Sequence, residues 1–269
     1  MQAEFYPISD FKLALSVALV VIVGSISALL KLGLLKSLLW GTFRTFAQLL
    51  LMGYALVWIF DIDSPLLLVM ILLTMCYFGA RTAVKRTKGK VAKQLTLAYA
   101  SLVVSTFIVT FIVTGLIVSA DRWYTARIVI PIAGMVLGNS MNGLALALDR
   151  LFAEVRSNSG EIETLLALGA TPWEAIRLRL KEALKAGMMP SINSLMVVGL
   201  VTLPGMMTGQ ILGGVSPMEA VRYQIVVMLM ITAAAAIGSL LMIKLSYRRL
   251  FSSEGALLPE LWTTVEKQR

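Results

Sequence analysis

Seven mostly apolar stretches divide this chain, each near the roughly 20 residues an α-helix needs to cross a bilayer. They run Leu13 to Leu30, Leu38 to Phe60, Pro65 to Ala80, Leu95 to Ser119, Ile128 to Leu148, Ala186 to Gly213 and Val221 to Ile243. The third is short. The sixth is long and carries Pro190 and Pro204, which predict a kink or a break. With 58% apolar and 14% charged residues there is too little charge to cover a water-soluble globule. The expected fold is an all-α integral membrane protein of about seven transmembrane helices, forming a single transmembrane domain over residues 1–269.

Basic residues orient the spans, because loops rich in Lys and Arg stay in the cytoplasm. Arg81 to Gln94 holds Arg81, Lys85, Arg86, Lys88, Lys90 and Lys93 and no acid. Placing that loop inside puts 19 basic residues in the cytoplasmic segments and 4 outside, Arg222 at the outer edge of the last span among them, with Arg44 alone well inside a span. The amino terminus is therefore expected outside and the carboxyl terminus in the cytoplasm. The same bias accounts for the net charge of +9 without nucleic acid as a partner. Met1 to Asp10 has Glu4 and Asp10 but no basic residue, so no cleavable signal is expected there.

Several chemistries have no residues to carry them. Cys76 is the single cysteine and there is no histidine, which excludes an internal disulfide and argues against a resident metal site. Thr87-Lys88-Gly89-Lys90 has neither the spacing nor the hydroxyl of a phosphate-binding loop. No catalytic residues are expected, and the energy for any transport must come from another polypeptide or an ion gradient. None of the 15 acids falls in a span, which argues against an ion-coupled secondary carrier.

Polar residues inside the spans are candidates for a translocation path. Arg44 with Gln48 one turn on either snorkels to the inner interface or binds an anionic substrate. Asn139, Ser140 and Asn142 fall near mid-membrane in the fifth span, where they either tie helices together or line a wet path. Gly134 and Gly138, four apart, would let another helix approach closely. In the sixth span Pro204, Met206, Met207 and Gln210 accompany Gly205, Gly209 and Gly213. Its methionines suit either adaptable packing or a soft metal ion.

The polar segment 149–185, between the fifth and sixth spans, reads Ser159-Gly-Glu-Ile-Glu and, further on, Leu168-Gly-Ala-Thr-Pro-Trp173. Ser159 is a candidate cap for a short helix with Glu161 and Glu163 in its first turn. Gly169 would end that helix, and Thr171 and Pro172 would start a second short one. This hairpin alone is either a surface feature or a docking knob. The run from Glu163 through Leu168, Gly169, Ala170, Thr171, Pro172 and Trp173 resembles the cytoplasmic coupling segment of ABC-transporter permeases, in which Glu and Gly six apart lead into Gly-Ala-Ser/Thr-Pro.

Across most of its length the chain resembles the FetB family of iron-export permeases, to which a plant aluminium-tolerance transporter subunit is also similar. Gln48 to Leu56, Pro131 to Met141, Leu168 to Pro172, Val198 to Gly209 and Ala220 to Val227 carry the likeness. The resemblance implies a multi-pass inner (plasma) membrane subunit working with a separate FetA-like ATPase as two permeases and two ATPases. ATP and Mg would reside in the partner, and this chain would bind no cofactor. It also implies that Glu161, Glu163 and Leu168 to Trp173 transmit the coupling. The family name points to iron, yet the spans offer poor ligands for a bare ion. Haem or another iron chelate, an organic anion and a nucleotide sugar are alternative cargoes. An ion-coupled secondary carrier and a non-transporting membrane scaffold are the remaining alternatives.

Overall fold

The computed structural model describes residues 9–61, 64–87, 89, 91, 93–119, 122 and 124–258. The expectations drawn for Met1 to Ile8, for Lys88 and Lys90, and for Lys267 and Arg269 in the tail lie outside them. Among the described residues the structure is helical, with two isolated β-bridges and no strand. The helices are α1 (Asp10–Leu15), α2 (Val17–Leu29), α3 (Leu35–Asp61), α4 (Pro65–Arg86) and α5 (Gln94–Phe111), which continues as a π-helix (Ile112–Ile117). There follow α6 (Ala126–Ser157), α7 (Ser159–Ala167), α8 (Pro172–Val197), α9 (Gly205–Leu212) and α10 (Pro217–Tyr247). Among the described residues six segments are long and apolar enough to cross a membrane: Asp10–Leu29, Leu35–Phe60, Pro65–Arg86, Gln94–Ile117, Ala126–Ser157 and Pro217–Tyr247. The protein is an all-α integral membrane protein.

The sixth apolar stretch, Ala186 to Gly213, is discontinuous. Helix α8 runs through Pro190 and stops at Val197, residues 198–204 are irregular, and α9 resumes at Gly205. Gly199, at φ +83°, lets the chain turn so that its N–H reaches the Thr202 carbonyl at 2.9 Å. The Val201 N–H returns to Val197 at 3.0 Å. These bonds satisfy backbone that has left the helix, as a bilayer requires. Pro204 stands just before α9, where its missing N–H costs no helical bond.

Helix α4 is not short. Its 22 residues extend about 33 Å, because Lys85 and Arg86 suit the negative end of the helix dipole and prolong it past the apolar stretch. Three helices begin on a hydroxyl cap followed by proline: Ser64-Pro65, Thr171-Pro172 and Ser216-Pro217.

The chain forms two compact units, Met1–Asp63 with Gln210–Val215, and Ser64–Gly209 with Ser216–Arg269. In the first, α2 packs on α3 where Gly24 faces the Leu35 side chain. In the second, α4, α5, α6, α8 and α10 alternate in direction. One core cluster joins Ala83, Val91, Leu148, Val155, Ile176 and Leu250 at one end. Another joins Val109, Val113, Ile132, Val136, Val227 and Met230 toward the opposite end. Arg86, Arg150, Arg156, Arg177, Arg179, Arg248 and Arg249 all belong to the first end.

The closest helix crossing is not at Gly134 and Gly138. A Cβ at Gly138 would meet nothing within 4 Å, and one at Gly134 only the tip of Met75 at 3.7 Å. The backbones meet instead at Gly143 of α6 and Gly187 of α8. A Cβ on Gly187 would lie 2.7 Å from the Gly143 carbonyl and 2.8 Å from Ser239 Oγ of α10. Spacing alone could not separate the two pairs, since only the register of three helices decides which small residues coincide.

Candidate functional site

At the basic end of the second unit, the turn between α7 and α8 is built from two interlocking caps. Gly169, at φ +91°, donates its N–H to the Leu166 carbonyl, and Ala170 donates to Leu165, each at 3.0 Å. This is the double closure that only a left-handed residue permits at a helix end. Two residues later Thr171 Oγ1 accepts from the Glu174 N–H at 3.3 Å, while Glu174 Oε2 accepts from the Thr171 N–H at 2.8 Å. The Thr171 hydroxyl also donates to Glu174 Oε2 at 2.7 Å. That hydroxyl, and then the Thr171 backbone N–H, hold the Glu174 carboxyl below its ordinary value of 4.5.

The turn is anchored from below and open above. Ile162 and Ile176 are buried with Val155 and Leu250. Arg179 bridges Glu161 at 2.6 Å and reaches Glu154 at 3.9 Å, so α6, α7 and α8 share one cation. Trp173 stacks edge-on against Tyr247 at 5.3 Å. Against this support, Leu168 is 80% exposed and Trp173 51%, and Glu163, Gly169 and Thr171 are exposed beside them. An apolar knob bounded by an acid is thus presented on a stiff base.

Two local expectations need correction. Asn158, not Ser159, occupies the position before α7, makes no side-chain cap bond, and leaves Ser159 as the first helical residue. The second helix is not short: α8 has 26 residues and continues from Pro172 into the apolar region. The acids and bases of its first half interrupt the apolar run in sequence, but they sit on an amphipathic helix whose Ala175, Ile176, Leu180 and Ala183 are buried.

About 36 Å along that helix from the turn, at 1.5 Å per residue, lies a cleft of ≈ 330 Å³. It is bounded by the end of α8, the break, the start of α9 and the first turns of α10. Leu195, Leu203, Pro204, Met207, Gln224 and Met228 are among its walls. Gln224 is 5% exposed and its Oε1 is buried without a hydrogen-bond partner. Of the sequence candidates, Pro204 and Met207 line this cleft. Gln224 and Met228 line it as well and were not among the sequence candidates; the signal for Gln224 is a lone amide at the start of the apolar run from Ile225.

The other candidates are dispersed. Met206 packs against the core of Val109, Val136 and Met230. Asn139 is half-buried, donating Nδ2 to the Met135 carbonyl at 2.9 Å within its own helix. Ser140 is fully buried, its Oγ unpartnered, and its Cβ faces Gly238. Asn142 is exposed and accepts from Arg86 Nη1 at 2.8 Å, which places it beside the end of α4. Arg44 and Gln48 are exposed on α3 of the first unit. Gln210, also of that unit, has a buried Oε1 with no partner among the described residues. No group of three or more His, Cys, Asp or Glu able to hold a metal ion occurs among the described residues.

Comparison with known proteins places this arrangement. Residues 10–251 match the model of an Uncharacterised protein family, UPF0014. The chain belongs to that family. The UPF0014 match encloses the turn, all of α8 and the cleft. Among relatives, the Escherichia coli protein named "Probable iron export permease protein FetB" is 36% identical over 93% of this chain and 95% of its own length. A UPF0014 membrane protein of Bacillus subtilis, YjkA, is 38% identical over 89% of this chain and 94% of its own. The Arabidopsis thaliana Protein ALUMINUM SENSITIVE 3 is 36% identical over 84% of this chain and 81% of its own. No solved structure matches. Each of these relatives is matched over four fifths or more of its own length.

Proposed function

We propose that this chain is the membrane permease subunit of an ABC exporter in the inner (plasma) membrane, driven by a separate ATPase that grips the turn from Leu168 to Trp173. The observation that carries the reading is the continuity of α8. One helix starts in a doubly capped turn with an exposed apolar knob and ends at a broken span beside an apolar cleft. A force applied at the turn is transmitted along a helix, whereas the break at 198–204 is where a change of shape costs least.

In this reading two permeases work with two ATPases, and ATP and Mg bind in the ATPases. The basic end is cytoplasmic, with the amino terminus outside. Glu163, Leu168, Gly169, Ala170, Thr171, Pro172 and Trp173 form the docking surface, and Glu161 acts behind it by holding Arg179. ATP-driven closure brings the two turns together, α8 tilts, and the cleft changes sides. Arg44, Gln48, Asn139, Ser140, Asn142, Pro204, Met206, Met207 and Gln210 are proposed along the path. The name of the Escherichia coli relative supports iron as cargo. An aliphatic, thioether-containing cleft favours iron in a chelated or haem-like form over the bare ion.

The test is a complex of the chain with an ABC ATPase. Wild type is expected to show ATP hydrolysis that responds to transported solute. Glu163→Lys should lose that response while the permease still inserts and melts normally. Full coupling in the variant would remove the docking assignment, and uphill transport by the permease alone would remove the motor.

A further inference from the structure

The cleft beside the break has one polar side chain among its eleven lining residues, and that side chain is unsatisfied. A buried carbonyl oxygen without a donor has lost its water and gained nothing in return, so such groups mark places where a partner is missing or comes and goes. Every other wall residue is aliphatic, a glycine, a proline or a thioether: Leu195, Leu203, Pro204, Met207, Ile225 and Met228 are representative. No charge lines the cleft. Its ≈ 330 Å³ falls within the range of small-molecule sites.

We infer that this cleft is a binding site for an uncharged, largely apolar molecule that presents a single hydrogen-bond donor to Gln224 Oε1. The apolar body displaces lipid or water from the aliphatic walls, and the two methionines accommodate varied shapes. The donor satisfies the one orphaned acceptor, which fixes the molecule's orientation. A hydrated divalent cation has no counterpart here: it needs several oxygen or nitrogen ligands and compensating negative charge, and the cleft supplies one amide oxygen. Position strengthens the assignment. A discontinuous span is where transport proteins expose backbone and side-chain polar groups at depth, and here the break supplies Gly199, Leu203 and Pro204 to the wall.

This inference deepens the transport reading and rests on it for its meaning, but its test uses the full-length permease alone, so it succeeds or fails independently of ATPase coupling. Purified protein in lipid nanodiscs is titrated with aminoanthracene, which has an apolar body and an N–H donor, and with anthracene, which has the body only. Wild type should prefer the amine by about tenfold, the worth of one buried hydrogen bond. Gln224→Leu should bring that preference close to one while retaining anthracene binding, and Leu116→Ala, at an exposed residue outside the cleft, should leave the preference intact. Leu203→Trp, at a residue 64% exposed and therefore tolerant of size, should fill the cleft and abolish binding of both probes. An unchanged preference in Gln224→Leu would overturn the inference. So would failure of either probe to saturate on wild type, as when a second permease copy covers the cleft, or displacement of the amine by equimolar ferrous ion.

Discussion

The two ends of α8 are opposites. At its start, the backbone donors of Gly169, Ala170, Thr171 and Glu174 all have partners, and one arginine ties three helices together. At its end, the helix dissolves into a seven-residue break whose neighbours leave Gln224 Oε1 unpaired. Between them, at Gly143 and Gly187, α6 and α8 touch through bare backbone. A satisfied terminus moves as a body, while an under-satisfied one has near-equal alternatives. The contrast teaches that stiffness and adaptability are placed on one helix, with the tight crossing as the fulcrum.

The sharpest way to break this contrast is to wedge the fulcrum. Gly187→Leu drives a side chain into the Gly143 carbonyl and should cost about 3 kcal/mol, at the upper end for overpacking. The yield of monodisperse protein and its melting midpoint would both fall sharply. Gly138→Leu, where a Cβ meets nothing, should leave both nearly unchanged. Equal effects of the two would mean that the crossing is not the fixed point.

Next in size is the stiff end itself. Gly169→Pro cannot take φ +91° and removes the N–H that closes on Leu166, so the two caps no longer share a turn. Solute-responsive ATPase activity of a reconstituted complex is expected to drop at least tenfold, with the permease melt little altered because the knob above Ile162 is exposed. A parallel collapse of the melt would show that the turn supports the fold as well as the coupling.

A smaller effect tests the capping box through pH. Thr171→Ala removes the hydroxyl that is the first cause of Glu174's lowered pKa. A depressed carboxylate contributes stability that is fully present above its ordinary 4.5 and is lost as pH falls through the folded value. The variant should therefore melt a few degrees below wild type at neutral pH, with the gap narrowing once pH is taken below 4.5. A gap that does not change with pH would mean the carboxylate is not part of the cap.

Smallest of all should be Asn142→Ala, which releases Arg86 from an exposed bond worth about 1 kcal/mol or less. A thermal scan should barely register it. A large loss would make the Arg86 contact a further tie across the bundle.

Much of the hairpin was legible in the sequence because it is local. Gly169, Thr171 and Pro172 write their backbone angles directly, and the turn they form needs no distant contact. The length of α8 was not legible: charged residues in its first half end the apolar run, although the helix itself continues. The polar candidates scattered for a different reason. A residue type states what a side chain can do in a membrane, but the partner across the gap decides whether it does so, as Asn142 on Arg86 and Asn139 on its own backbone show.

By itself, the amino-acid order determined that the chain lives in a bilayer, which stretches are apolar enough to cross it, and which part of the sixth span must give way. Those follow from hydropathy, proline and glycine, which act over a handful of neighbours. Only the tertiary structure decided that Gly143 and Gly187 meet, that Gln224 closes a cleft with Met207 and Met228, and that Glu161 is held by an arginine while Glu163 is left exposed. Each depends on the rotation and register of packed helices, which many small contacts set together and no local pattern records.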